Sequence, residues 1–378
     1  MKQFFYDVLD FQNHPLEDGN LVFGVDSLTM IDSQIIFNGS NNILFLEKGI
    51  TLSHSSLSFE ANNSVIYVAC NKPLYQRLNV RVYNNSTFFI GNGAHTSGVV
   101  NVIVSEEKNV FIGDENMFAF GVWIRTADPH LIYSAKTHER TNASKSVFLG
   151  DHVWSGQGAV YLKGAQVHSG SIIGAMGVVP GKHLESNGSW AGNPVRQIAS
   201  DIFWEDTCVN SFTKETAAEY NTYPQDSFIY KTVPTEYLSF EQLDAELSAA
   251  TTAKDKLKYL QYLQRTKTKN RFAMRTGEPQ GLGGKLRALL NLAPKSPKEN
   301  LYSKLPPGAV DASVPSRGKK KPKPAKKPEE EQPRDAAEEN ADALEKETSQ
   351  EKTPVEAVAE TTPAADPPAP EDAEPDEE

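Results

Sequence analysis

Three histidines carry most of the proton chemistry this sequence offers: His130, in Ala127-Asp128-Pro129-His130, His152 and His168. An imidazole is the side chain that exchanges a proton near neutral pH without help from its surroundings, and three of them could also converge on a Zn2+. A loop histidine is by default solvated or hydrogen-bonded, and His152 and His168 read as outward-facing turn residues. Cys70 and Cys208 are too few to staple 378 residues and suit a reducing compartment. The Lys319-Lys320-Lys321 run has no interleaved aromatics and reads as a solvated linker, not a nucleic-acid surface. None of these side chains acts until a scaffold places it.

The scaffold announces itself as a period. Leu149, Ser155, Tyr161, Val167, Ile173 and Val179 recur every six residues, and Val147, Val153, Ala159, Ala165, Ser171 and Gly177 repeat two positions earlier. A six-residue repeat is the mark of a parallel β-helix, each hexad giving one short strand and a turn. Three hexads close a triangular coil, so Leu149 should stack on Val167, Ser155 on Ile173 and Tyr161 on Val179. A β-sandwich would show longer strands with period-two alternation. Weaker rungs over 40–110 (NNILFLEKGITL, NNSVIYVAC, NNSTFFIGNG) read as irregular early coils, their Asn-Asn pairs supplying left-handed turns. Between Ile124 and Leu149 the step is 25 residues where 24 would keep register, so the segment TADPHLIYSAKTHERTNASK should leave the coil as an excursion. Loops on rigid scaffolds are where chemistry is displayed.

Around this core the chain changes character. Residues 1–40 are expected to form an N-terminal extension, 41–200 the β-helix, 201–292 a mixed and helical extension, and 293–378 a disordered Pro/Lys and then acidic tail. Ser239 with Gln242 suggests a capping box ahead of Leu243 and Leu247, and Leu257, Leu260 and Leu263 share a helix face. The net charge of −11 belongs to the tail: residues 1–316 carry 28 basic and 30 acidic side chains. The near-neutral folded part neither demands nor forbids a polyanionic partner. With no apolar leader after MKQFF and no ~20-residue apolar run, the expectation is a cytoplasmic protein, at most associated with the inner face of a membrane.

The stretches VFIGDENMF (110–118), WIRTADPHLIY (123–133), FLGDHVWSGQGAVYLKG (148–164), SGSIIGAMGVV (169–179) and SWAGNPVRQI (189–198) together resemble the hexapeptide-repeat acyltransferases, and within them the capsule O-acetyltransferases. The resemblance implies a mainly β fold, a left-handed parallel β-helix with an excursion loop. It also implies a homotrimer, acetyl-CoA held in the groove between neighbouring β-helices, and no metal. On that pattern His130 is the general base, with Asp128 available to orient it, and Trp154 lies beside the acyl group, its backbone N–H or indole able to donate to the oxyanion. Gly156, Gly174 and Ala175 would follow the pantetheine arm, and Trp190, Ala191, Gly192, Asn193 and Pro194 would cap the adenosine end. Lys182 and Arg196 are the cations available for phosphates. Two residues depart from the family pattern: Ser155 stands where an aliphatic side chain is usual, and His168 where glycine is common.

The leading expectation is thus transfer of acetyl to a hydroxyl of a bacterial capsular polysaccharide, which the resemblance extends to sialic-acid-containing ones. A metal hydratase of the carbonic-anhydrase type shares the β-helix, but it would need His130, His152 and His168 on one ion, and their spacings of 22 and 16 miss the 18-residue coil step. A third reading is a trimeric scaffold whose helical extension docks a partner protein or the capsule-synthesis machinery.

Overall fold

The computed structural model describes residues 2–69 and 75–275. Within them the chain winds into a parallel β-helix of about seven coils with three faces. The first face runs from Gln34–Phe37 through Ser56–Phe59, Leu78–Val82, Val100–Val104, Trp123–Arg125 and Val160–Tyr161 to Val178–Val179. The second begins at Leu21–Phe23, inside the segment expected to be an extension, and ends at His183–Leu184. The third ends in an antiparallel hairpin, Ser189–Gly192 with Val195–Ala199.

The stacking expected from the hexads is found pair by pair: Leu149 on Val167, Ser155 on Ile173 and Tyr161 on Val179. The earlier coils are not irregular, as their sequence suggested. On the second face Ile43, Val65, Thr87 and Asn109 are register partners at a step of 22 residues, with strands of four residues instead of two. Longer strands take up the extra residues, so a six-residue template cannot see them. The turns do use asparagine in the left-handed region: Asn41, Asn63 and Asn85 have φ of 56°, 58° and 51°.

Alternation along each strand sends one set of side chains inward and the other outward. Leu44, Leu46, Ile66, Val68, Phe88, Ile90, Val110 and Ile112 fill the coil interior. Their neighbours on the second face, Phe45, Tyr67, Phe89 and Phe111, point outward and stack ring on ring at 4.6, 5.1 and 4.4 Å between centroids. An outward column of buried aromatics needs a cover, and the chain supplies it. Helix α1 (Val8–Asn13) caps the first coil, and α2 (Lys214–Glu219) lies exposed. Helices α3 (Phe240–Ala249) and α4 (Ala253–Arg265) bury Phe240, Leu243, Leu247, Leu257, Leu260 and Leu263 against the column. The capping box of Ser239 and Gln242 is present, and the leucines expected on one face are buried here. These helices therefore dock on their own β-helix, which corrects the expectation that they reach for a partner. Asn63 fastens α4 by accepting from the Ala253 N–H and donating to the Thr251 carbonyl, both at 2.8 Å. No helix among the described residues is long and apolar enough to cross a membrane. The expected tail over 293–378, and Cys70, lie outside the described residues; Cys208 is exposed.

Candidate active site

The excursion leaves the coil at the corner between the first and second faces. Val110 pairs with Val147 across a step of 37 residues, against 18 in the coils that follow. It is held at its base. Lys163 Nζ donates to Asp128 Oδ2 at 2.5 Å, and Arg140 and Ser144 both donate to Glu106 on the preceding coil. Asn142 ties the two limbs together. Its Nδ2 donates to the His130 carbonyl at 2.7 Å and to Asp128 at 3.2 Å, while its Oδ1 accepts from the Ile132 N–H at 3.0 Å. The main chain at His130 is thereby fixed while its side chain stays exposed. The Lys163 and Asn142 hydrogen bonds hold the Asp128 carboxyl below its usual range against the opposing effect of partial burial. Asp128 is thus committed to anchoring the loop, a different task from the orienting role expected of it.

Trp154 lies on the third face, 38% exposed, with its ring 6.0 Å from that of Trp204. Its backbone N–H is spent on the Ser171 carbonyl at 2.9 Å. That removes the backbone donor the sequence had offered for an oxyanion and leaves the indole. Gly156 and Gly174 likewise give their amides to the coil ladder, to Ile173 and Trp190, whereas no ladder bond among the described residues takes the amide of exposed Ala175. A Cβ on Gly156 would meet the Ala175 nitrogen at 2.7 Å, so coil spacing alone requires glycine there. Trp190 packs against the coil interior, and the hairpin carrying Asn193, Pro194 and exposed Arg196 closes this end. These residues share the third face or its corner with the first. Lys182 does not: it sits at the excursion's corner, two coils beyond, on the side of Lys163 and His130.

The two departures from the family pattern have physical reasons. Ser155 Oγ lies 2.5 Å from the hydroxyl of Tyr161 inside the coil, both fully buried, so the serine satisfies a phenol that would otherwise be stranded. His168 is buried too, with Nδ1 3.1 Å from the Phe272 carbonyl and its ring stacked on Phe240 at 4.7 Å. Burial drives its pKa down to about 4. His152 is sandwiched between Trp204 and Phe228 at 3.9 and 4.3 Å. Neither is the solvent-facing turn residue that was expected. The residues after 200, invisible to a hexad search, cover both. In the same region Arg271 forks onto Asp151 at 2.8 and 2.6 Å and reaches Asp114, which Lys267 also meets at 2.7 Å.

Sequence comparison places known proteins beside this geometry. The chain is 33% identical to a polysialic acid O-acetyltransferase of Neisseria meningitidis over a match covering 23% of this chain and 50% of that protein. It is 30% identical to a polysialic acid O-acetyltransferase of Escherichia coli O1:K1, covering 28% and 34% respectively. A galactoside O-acetyltransferase of Lactococcus lactis is 26% identical, over 30% of this chain and 52% of that one. The chain spans about half or less of the length of these curated relatives. Among solved structures, the polySia-specific acetyltransferase NeuO aligns at a TM-score of 0.46 with 26% identity, over 53% of this chain and 93% of that one. No family model matches. The resemblance carried by the five stretches over 110–198 thus reappears in curated relatives whose names are O-acetyltransferases.

The expected site residues fall into two groups, at the two edges of the first face. One edge carries the exposed imidazole of His130; the other carries the Trp154 indole, the Ala175 amide and the exposed thioether of Met176. A side of the prism is about six residues, or ~20 Å at ~3.3 Å per residue, so the halves of one chain lie a face apart. The second half offers an apolar indole and thioether, an open amide, and the exposed guanidinium of Arg196. Sequence reasoning missed Asn142 and Lys163, which hold the root of the excursion. Lys163 meets Asp128 across 35 positions, a separation no local motif reveals.

Proposed function

We propose that the chain is an O-acetyltransferase that moves acetyl from acetyl-CoA to a hydroxyl of a capsular polysaccharide, with sialic-acid-containing polymers the first class to test. The observation that carries this reading is the pairing of an exposed imidazole, held at the root of the excursion, with an exposed indole and amide at the other edge of the same face. The names of the curated relatives support it.

A sugar hydroxyl is a weak nucleophile at neutral pH. His130 would accept its proton as the oxygen attacks the thioester carbonyl, and would return that proton to the departing thiolate. The negative charge that builds on the acyl oxygen needs a donor, and the Trp154 indole and the Ala175 amide are the candidates. A thioester is reactive enough for this chemistry without a Lewis acid. Gly156 and Gly174 shape the wall along which the pantetheine arm would lie, Trp190, Asn193 and Pro194 would cap the adenosine end, and Arg196, or Lys182 from the His130 edge of a second copy, would meet the phosphates. Because the halves of one chain lie a face apart, the reading places His130 of one copy against the Trp154 edge of a second, in the trimer the hexapeptide resemblance implies.

The hydratase reading loses its donors, since His152 and His168 are buried beneath separate parts of the C-terminal segment while His130 is exposed. The deciding experiment is transfer of labelled acetyl from acetyl-CoA to polysialic acid by the full chain, with NMR of the product. His130→Ala should lower turnover by about 10²–10⁴-fold, the usual worth of a general base, with CoA binding retained. Near-normal turnover in that variant would remove His130 from the mechanism.

A further inference from the structure

We propose that Arg125 selects an acidic acceptor, gripping a sugar carboxylate in the cleft that leads to His130. This rests on the acetyl-transfer reading above and adds the residue that would choose the acceptor.

The cleft, ≈ 380 Å³, opens on the outer surface of the first face and ends at Ala127, Asp128 and Pro129, directly before His130. Three charged side chains line it: Glu106, Arg125 and Asp128. Both carboxylates are already compensated, Glu106 by Arg140 and Ser144, Asp128 by Lys163 and Asn142. Among the described residues no carboxylate is paired with Arg125 in a salt bridge, although Asp128 on the same cleft feels its charge more weakly than that of Lys163. Its guanidinium instead lies over the ring of Trp123, 5.7 Å from the centroid, and its Nε is buried without an acceptor. A desolvated donor with no partner carries a standing cost, which a bound anion would remove. The net charge the cleft offers a ligand is therefore positive and sits on one planar fork, the geometry that matches a carboxylate.

The coil register extends the site. Arg81, Ile103 and Arg125 are consecutive partners in one outward column, so the two arginines stand two coils apart, ~10 Å at ~4.8 Å per coil. Arg81 lines a second trough of ≈ 740 Å³ on the same face. Beside that column runs another of Asn79, Asn101 and Trp123, in which Asn79 donates to Asn101 at 2.9 Å. An acidic polymer lying along this face would meet Arg125 next to the reacting hydroxyl and Arg81 further along, with the exposed face of Trp123 against a sugar ring. A monomeric acidic sugar could reach only the first.

The test compares the full chain with Arg125→Gln, Arg125→Lys and Arg81→Gln, using polysialic acid oligomers of graded length. Arg125→Gln should raise the acceptor KM about 10–100-fold, the worth of one charge-assisted contact, while kcat and the KM for acetyl-CoA change little. Arg125→Lys should recover part of that loss. Arg81→Gln should weaken only the longer oligomers, and the salt dependence of the acceptor KM should flatten in both glutamine variants. An unchanged acceptor KM in Arg125→Gln would overturn the proposal, as would an altered sedimentation profile, which would assign this column to contacts between copies. If the parent chain transfers no acetyl to any acceptor, the catalytic reading fails by itself. Direct titration of polysialic acid then still judges Arg125: weaker binding in Arg125→Gln upholds it and equal binding refutes it.

Discussion

At the scale of single residues, two buried polar groups account for the departures from the family pattern. Ser155 and Tyr161 satisfy one another inside a coil that is otherwise apolar. Ser155→Val should therefore cost about 1–3 kcal/mol in denaturant unfolding, because it strands the Tyr161 hydroxyl, and Tyr161→Phe added to it should restore most of that loss. His168 makes the fold sensitive to acid. Its folded pKa, about 4, lies below the ordinary imidazole value of 6.5, so the unfolded chain binds the extra proton first. The stability it contributes is complete above pH ~6.5 and declines as pH falls toward 4, by up to about 3 kcal/mol. Replacing it with Gln should flatten unfolding free energy across that window, and an unchanged slope would remove His168 from the account; Asp114, whose burial is overcome by Arg271 and Lys267, loses its contribution only at pH below that window.

At the scale of elements, the excursion works only if its root is rigid. Lys163→Met would release Asp128 and, with it, the Asn142 tie to His130. Acetyl transfer should fall at least tenfold while the melting temperature moves by no more than a few degrees, since the salt bridge is partly exposed and worth little to stability. The excursion was legible in the sequence because it interrupts a strict period, and Leu149, Ser155 and Tyr161 found their stacking partners for the same reason. The 22-residue coils were hidden because longer strands break the hexad without breaking the stack. The covering of His152 and His168 was hidden for a different reason. It depends on Trp204, Phe228, Phe240 and Phe272, which reach back across as many as 104 positions and belong to no repeat.

At the scale of the whole molecule, the proposed separation of the two half-sites would make catalysis a property of an assembly. Activity lost in His130→Ala and in Trp154→Ala should partly return when the two inactive chains are refolded together, with about a quarter of randomly mixed contacts carrying both intact residues. A site held within one chain would give no such rescue. The faces are not equivalent partners in that assembly: helices α3 and α4 already occupy the second and the proposed acceptor column lies along the first, which leaves the third face and the edges for a neighbour.

Both ends of the prism are also finished differently from its middle. Gln3–Phe5 runs antiparallel against Gln34–Phe37 beside α1, and the hairpin of Ser189–Gly192 with Val195–Ala199 turns back on itself at the other end. A stack of parallel strands is by nature open-ended, since each terminal rung offers its unpaired amides and carbonyls to the next chain that arrives. A strand of reversed direction breaks the template on one face at each end, which disfavours growth into a fibre and steers neighbours to the flanks.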